Sequence, residues 1–75
     1  MVYRNEIRLT TMDDILTFVK VVTAIDDKTS ISLEDSNGNR VNARSILGAI
    51  YTLEWKHIFC VSSKDISGKI LRWII

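Results

Sequence analysis

The sequence predicts an α+β fold in which a four-stranded, mostly antiparallel sheet carries helices on one face. Three observations carry that expectation. Alternating apolar and polar residues occur in short runs at four places along the chain. Stretches with an apolar residue every three or four positions lie between and after those runs. The two middle runs are joined by Asp35-Ser36-Asn37-Gly38-Asn39, and Asn-Gly between alternating runs is a strong hairpin signal. The resulting order is β-α-β-β-α-β-α.

Each element has a residue-level reason. Tyr3 to Thr10 reads as a strand, with Ile7 and Leu9 on one face and Glu6 and Arg8 on the other. Met12 to Ile25 reads as a helix, because Ile15, Phe18, Val19, Val22 and Ile25 form one apolar stripe. Thr11 is placed to cap it, and Asp13 and Asp14 in its first turn suit the positive end of the helix dipole. Its valines and threonines are mediocre helix formers, so burial rather than propensity must hold it. Ser30 to Glu34 reads as the second strand and Arg40 to Ala43 as its return, with Ile31, Leu33, Val41 and Ala43 inward. Ser45 is a good N-cap for a short helix to about Leu53, with Ile46, Leu47, Ile50 and Tyr51 as its apolar residues. His57 to Ser62 reads as the fourth strand. Ser63 or Asp65 then caps an expected last helix, whose stripe is Ile66, Ile70, Trp73 and Ile74.

Composition narrows the function classes. The chain has 75 residues, which fits one domain spanning 1–75. Lys plus Arg is 10 and Asp plus Glu is 9, so the large positive excess of a nucleic-acid binder is absent. Cys60 is the sole cysteine and cannot form an internal disulfide, which argues for a reducing cytoplasm. No charged-then-apolar leader opens the chain and no apolar run reaches the length of a membrane span, so neither export nor membrane insertion is expected.

The element order is also that of HPr, the phosphocarrier of the bacterial sugar phosphotransferase system. Ser32-Leu33-Glu34, the Asn37-Gly38 turn, and the run Val41-Asn42-Ala43-Arg44-Ser45-Ile46-Leu47-Gly48-Ala49-Ile50 resemble the HPr run LEYNGKKVNLKSIMGVM, with one extra residue in the turn. Ile58 to Ser62 is similar to the family's ITIS strand, and Thr23-Ala24 sits where HPr helices often read TA. The resemblance covers roughly Glu6 to Ser63 and is specific from Ser32 to Ile50. It implies an HPr-like open-faced sandwich.

The chain departs from the family at the phosphocarrier position. HPr proteins carry the phosphoryl group on a histidine just before the first helix, in a motif of the type G-[IL]-H-A-R-P-A. The matching segment here is Thr11-Met12-Asp13-Asp14-Ile15-Leu16-Thr17, so Asp13 stands where the histidine belongs and Ile15 where the arginine belongs. Imidazole suits the shuttle because it is neutral near pH 7, with an ordinary pKa of about 6.5, and leaves readily afterwards. An aspartate in that role needs a divalent metal and acidic neighbours, so Asp13 and Asp14 read first as first-turn carboxylates. The sole histidine, His57, opens the fourth strand.

A second family feature is retained. Many HPr proteins are phosphorylated by an ATP-dependent HPr kinase on a serine before the second helix, and Ser45 falls on that position. Crh-type relatives lack the histidine and keep the serine. This resemblance implies a regulatory or binding protein rather than an enzyme. One histidine and one cysteine, with no carboxylate at ligand spacing, cannot build a metal site, so neither metal nor cofactor is expected. Its implied partners are an HPr kinase-like enzyme and a transcriptional or metabolic regulator. Ile46, Leu47 and Ile50 match the apolar patch that the family presents to partners, although burial in a core is the competing reading.

Other readings remain open. Ile70, Leu71, Trp73, Ile74 and Ile75 are more apolar residues than one helix face can bury, so a homodimer through Leu71, Trp73 and Ile75 is an alternative. The domain would then be a self-associating interaction module with Ser45 only a cap. An unorthodox phosphocarrier using Asp13 or His57 is a third reading. Cys60 lies three residues from His57 on a strand, so their side chains point to opposite faces and Cys-His chemistry is not expected.

Overall fold

Alternation fixes which face of each strand is apolar, and the three-to-four spacing of the first helix supplies the surface that covers it. A computed structural model describes residues 2–75. It arranges them as β1 (Tyr3–Ile7), α1 (Met12–Thr23), β2 (Ile31–Glu34), β3 (Arg40–Asn42), α2 (Ile46–Ile50) and β4 (Ile58–Ser62). The four strands form one sheet in the order β1-β4-β2-β3, and every neighbouring pair is antiparallel. The α+β architecture with an open antiparallel sheet is therefore as the sequence predicts.

Register places Asn5 and Leu33 on either side of Cys60, and Leu33 opposite Val41. Ile7, Ile31, Leu33, Ile58 and Cys60 thus face the helices and meet Ile15, Phe18, Val19 and Val22 of α1 in one buried cluster. The stripe expected for the first helix is the buried one, with Ile25 partly buried at its end. Thr11 Oγ1 accepts from Asp14 N at 3.1 Å, so the predicted cap forms. In the hairpin turn, Asp35 Oδ1 accepts from Asn37 N at 2.9 Å and Asn39 N at 2.8 Å, while Gly38 takes φ +89°. A left-handed backbone there is what glycine supplies without steric cost.

The structure corrects three expectations. First, β1 ends at Ile7 rather than Thr10, although Leu9 remains buried beyond it. Second, the helix after Ser45 is α-helical only to Ile50, and Tyr51–Glu54 tightens into a 3-10 turn. Its inward residue is Ala49; Ile50 is partly buried against the core, whereas Tyr51 is 64% exposed.

Third, no α-helix follows β4. The chain there winds through successive i to i+3 bonds: Lys69 N to Ile66 O (2.9 Å), Ile70 N to Ser67 O (3.3 Å), Trp73 N to Ile70 O (3.0 Å) and Ile74 N to Leu71 O (3.2 Å). Only Leu71–Trp73 is regular, as a 3-10 turn. Neither expected cap starts a helix. Asp65 closes a local turn on Ser67, and Ser63 Oγ accepts from Ser30 N at 2.9 Å. These successive turns still bring Ile66, Ile70 and Trp73 inward, and the three-residue step from Ile70 to Trp73 is one that a 3-10 turn shares with a helix.

The C-terminus then doubles back along β1. Arg8 N donates to Trp73 O at 2.8 Å and Ile75 N to Glu6 O at 3.0 Å, with Ile7 bridged to Ile74. Trp73 is 5% exposed and meets Phe18 edge to face, ring centroids 5.2 Å apart. Trp73, one of the three residues expected at a homodimer contact, thus spends its indole on the chain's own core. Leu71 and Ile75 do remain exposed.

Candidate functional site

Ser45 sits in the turn between β3 and α2. Its backbone is extended (φ −100°, ψ 121°), and its Oγ accepts from Gly48 N at 3.1 Å. Its carbonyl accepts from Ala49 N at 2.8 Å, and its own N–H donates to Asn42 O at 3.1 Å. Asn42 steadies the turn further by accepting from Arg44 N at 2.9 Å. A Cβ at Gly48 would lie 3.3 Å from both Asn42 O and the Val41 side chain, so α2 rests closely on β3 there. These local bonds hold the half-buried Ser45 hydroxyl at one defined place on the surface.

Beside it, α2 presents apolar surface to water. Leu47 is 76% exposed and Ile46 45%, with Tyr51 next along the chain. Of the three residues expected to meet a partner, Ile46 and Leu47 are at the surface, while Ile50 leans into the core.

Arg44, next to Ser45, makes a contact that the sequence did not suggest. Its Nη1 donates to Ile25 O at 3.2 Å, and its Nη2 donates to Asp26 O at 2.7 Å and Thr29 O at 2.9 Å. One guanidinium thus closes the turn that follows α1. Asp26 Oδ1 accepts from Lys28 N within that turn, and Asp26 Oδ2 pairs with Lys64 Nζ at 3.1 Å. The Lys64 ammonium, with help from Thr29 and Lys28, holds the Asp26 carboxyl below the usual aspartate range. An open groove lined by Lys28, Thr29, Ser30, Ser32, Asn42 and Arg44 runs past the clamp.

Asp13 lies exposed in the first turn of α1. Its neighbour Asp14 is turned back on the chain and accepts from Thr10 N at 3.0 Å and Thr10 Oγ1 at 3.2 Å. Those bonds, the backbone one first, hold the Asp14 carboxyl below its ordinary range. The two carboxylates therefore do not converge. Among the described residues, no three His, Cys, Asp or Glu side chains gather as a metal site.

His57 belongs to a different surface. It lies on the open face of the sheet, with Nδ1 2.8 Å from Glu6 Oε2 and its ring stacked 6.5 Å from Phe59. The Arg4 guanidinium also lies over Phe59, 4.1 Å from its ring centroid, and pairs with Glu34 at 3.3 Å. Arg40 Nε donates to the same Glu34 at 2.9 Å. This face is a set of mutually paired charges around one aromatic ring. Cys60 points the opposite way into the core, and burial pushes its thiol up to about 12.

The structure therefore keeps Ser45, Asp13 and His57 in three separate settings. It brings together Ser45, Arg44 and the exposed Ile46 and Leu47. No helix among the described residues is long and apolar enough to cross a membrane. Comparisons with models of known families, with curated proteins and with solved structures find no match to this chain.

Proposed function

We propose that the chain is an HPr-like regulatory binding protein, controlled by phosphorylation of Ser45 and carrying no phosphoryl group of its own. One observation carries the reading: a fixed Ser45 hydroxyl adjoins the exposed apolar residues Ile46 and Leu47. A dianion added there, of about −1.5 to −2 charge at pH 7, changes how that patch meets a partner. In the transfer, Ser45 Oγ forms a bond to the γ-phosphorus of ATP, the bond to the bridging oxygen breaks and ADP leaves. The hydroxyl proton passes to a base of the kinase. The implied partners, by resemblance, are an HPr kinase-like enzyme and a transcriptional or metabolic regulator.

The separation of Asp13 and His57 also favours a regulator over a carrier, since the two lie on different surfaces and do not form one site. Intact mass after two incubations tests the proposal. One contains HPr kinase and ATP, and the other contains enzyme I and phosphoenolpyruvate. A single phosphate gained only with the kinase, and lost in Ser45→Ala, is the expected result. A phosphate gained from phosphoenolpyruvate would instead make the chain a carrier, located by His57→Ala and Asp13→Ala.

A second reading rests on a different observation. Leu71 and Ile75 stay 68% and 65% exposed beside the C-terminal strap, which suits a self-associating module. Sedimentation equilibrium decides it: a concentration-dependent dimer lost in the Leu71→Ser, Ile75→Ser double variant supports that reading, and a strict monomer removes it.

A further inference from the structure

We propose that Arg44 transmits the state of Ser45: a phosphate on Ser45 draws the guanidinium away from the carbonyls of Ile25, Asp26 and Thr29 and releases the 25–29 turn. This inference rests on the Ser45 reading above and names how that site is regulated.

Arg44 immediately precedes Ser45 in the chain, and its guanidinium is held by three neutral acceptors at 2.7–3.2 Å. Its ion-pair capacity is therefore unspent, since no carboxylate partner lies among the described salt bridges to satisfy it. Hydrogen bonds between a guanidinium and phosphate oxygens are charge-assisted, roughly twice as strong as bonds to neutral carbonyls, and bidentate. A phosphoserine at the adjoining position competes directly for the same fork. The open groove beside Arg44 gives the side chain room to swing. Of the three carbonyls that Arg44 would leave, that of exposed Asp26 can turn to water, while those of part-buried Ile25 and buried Thr29 reach water only as the turn opens.

Arg44 is the side chain from outside the turn that grips it at three carbonyls. What remains without it are the bonds of Asp26 to Lys28 and Thr29 within the turn, and outside it the exposed Asp26–Lys64 pair and the bonds Ser30 exchanges with Ser63. Release of Arg44 thus loosens the joint between the end of α1 and the start of β2, while the core beneath stays closed. A signal written at α2 is read at the far end of α1.

The test uses the full chain with phosphoserine placed at position 45 during translation, so no kinase is needed. Amide hydrogen exchange at Lys28 and Thr29 is followed by NMR. The expected result is exchange at least about tenfold faster in the phosphorylated protein, with core amides of β4 unchanged. Arg44→Gln without phosphate should speed the same two amides, and adding phosphate to that variant should have no further effect. Arg44→Lys provides a second variant, since a single ammonium keeps the charge but cannot span three carbonyls. Unchanged exchange on phosphorylation, or effects of phosphate and Arg44→Gln that simply multiply, would overturn the proposal. Failure of an HPr kinase to modify Ser45 would count against the proposed function alone, because here the phosphate is installed without it.

Discussion

Ser45 and Thr11 do the same local job at the starts of α2 and α1, each accepting from the N–H three residues on. Replacing either by alanine leaves that donor to water and should cost about 1 kcal/mol, read as a lower melting temperature. Ser45→Asp should melt close to the unmodified protein, because aspartate is as good a cap. A phosphomimetic effect seen in Ser45→Asp therefore cannot be blamed on lost stability. Gly38→Ala forces an L side chain to φ +89° with open space around it, so its cost of about 1 kcal/mol would be backbone strain alone. These residues were legible in the sequence because a cap or a turn is settled within five positions. Arg44 was not, because its acceptors lie 15 to 19 residues away and exist only once α1 has packed.

At the level of elements, the same contrast separates what the pattern revealed from what it concealed. The stripe of α1 and the alternation of β2 and β4 pointed to the residues that are in fact buried. The C-terminal segment shows the limit. Ile66, Ile70 and Trp73 face inward as a helical stripe would require, yet their backbone bonds close in three residues, and apolar spacing alone does not distinguish the two. The candidate site was legible in part for a related reason. Ser45 and the exposed Leu47 follow from local pattern, but the pairing of Glu34 with Arg4 needs the sheet order, which brings β1 and β2 to either side of β4. Glu34 and Arg40 flank the Asn-Gly turn symmetrically, so that one pairing had a signal in the sequence.

The C-terminal strap also has a measurable role. It occupies the outer edge of β1 with its own N–H and C=O groups and anchors through Trp73. Trp73→Ala removes a buried indole and its edge-to-face contact with Phe18, and should destabilise by about 3–5 kcal/mol. Chemical denaturation followed by circular dichroism measures this. A loss below about 1 kcal/mol would mean the strap is not part of the cooperative unit.

For the molecule as a whole, acid should be the condition that undoes it. Asp14, Asp26, Asp35 and Asp65 all have carboxyls held below the ordinary aspartate value, each by hydrogen bonds from its own turn or, for Asp26, chiefly from Lys64. A group with a depressed folded value contributes stability above its unfolded pKa of about 3.9 and loses it as pH falls through the folded value. Melting temperature should therefore hold level from neutral pH to about pH 5 and fall below about pH 4. All four groups are at the surface, so the fall should be gentle, and salt should weaken the Asp26–Lys64 part of it. Asp35→Asn should flatten the curve slightly.

The buried Cys60 thiol gives the molecule a clock of its own. Alkylating reagents need both access and thiolate, and a folded molecule offers neither, with the side chain wholly enclosed and its ionisation pushed up to about 12. Each labelled molecule therefore records one visit to an opened state. Cys60 sits on β4, the strand flanked by β1 and β2, so that visit requires the centre of the sheet to part. The rate of labelling under native conditions reads the population of broken sheets directly, without denaturant or an added probe.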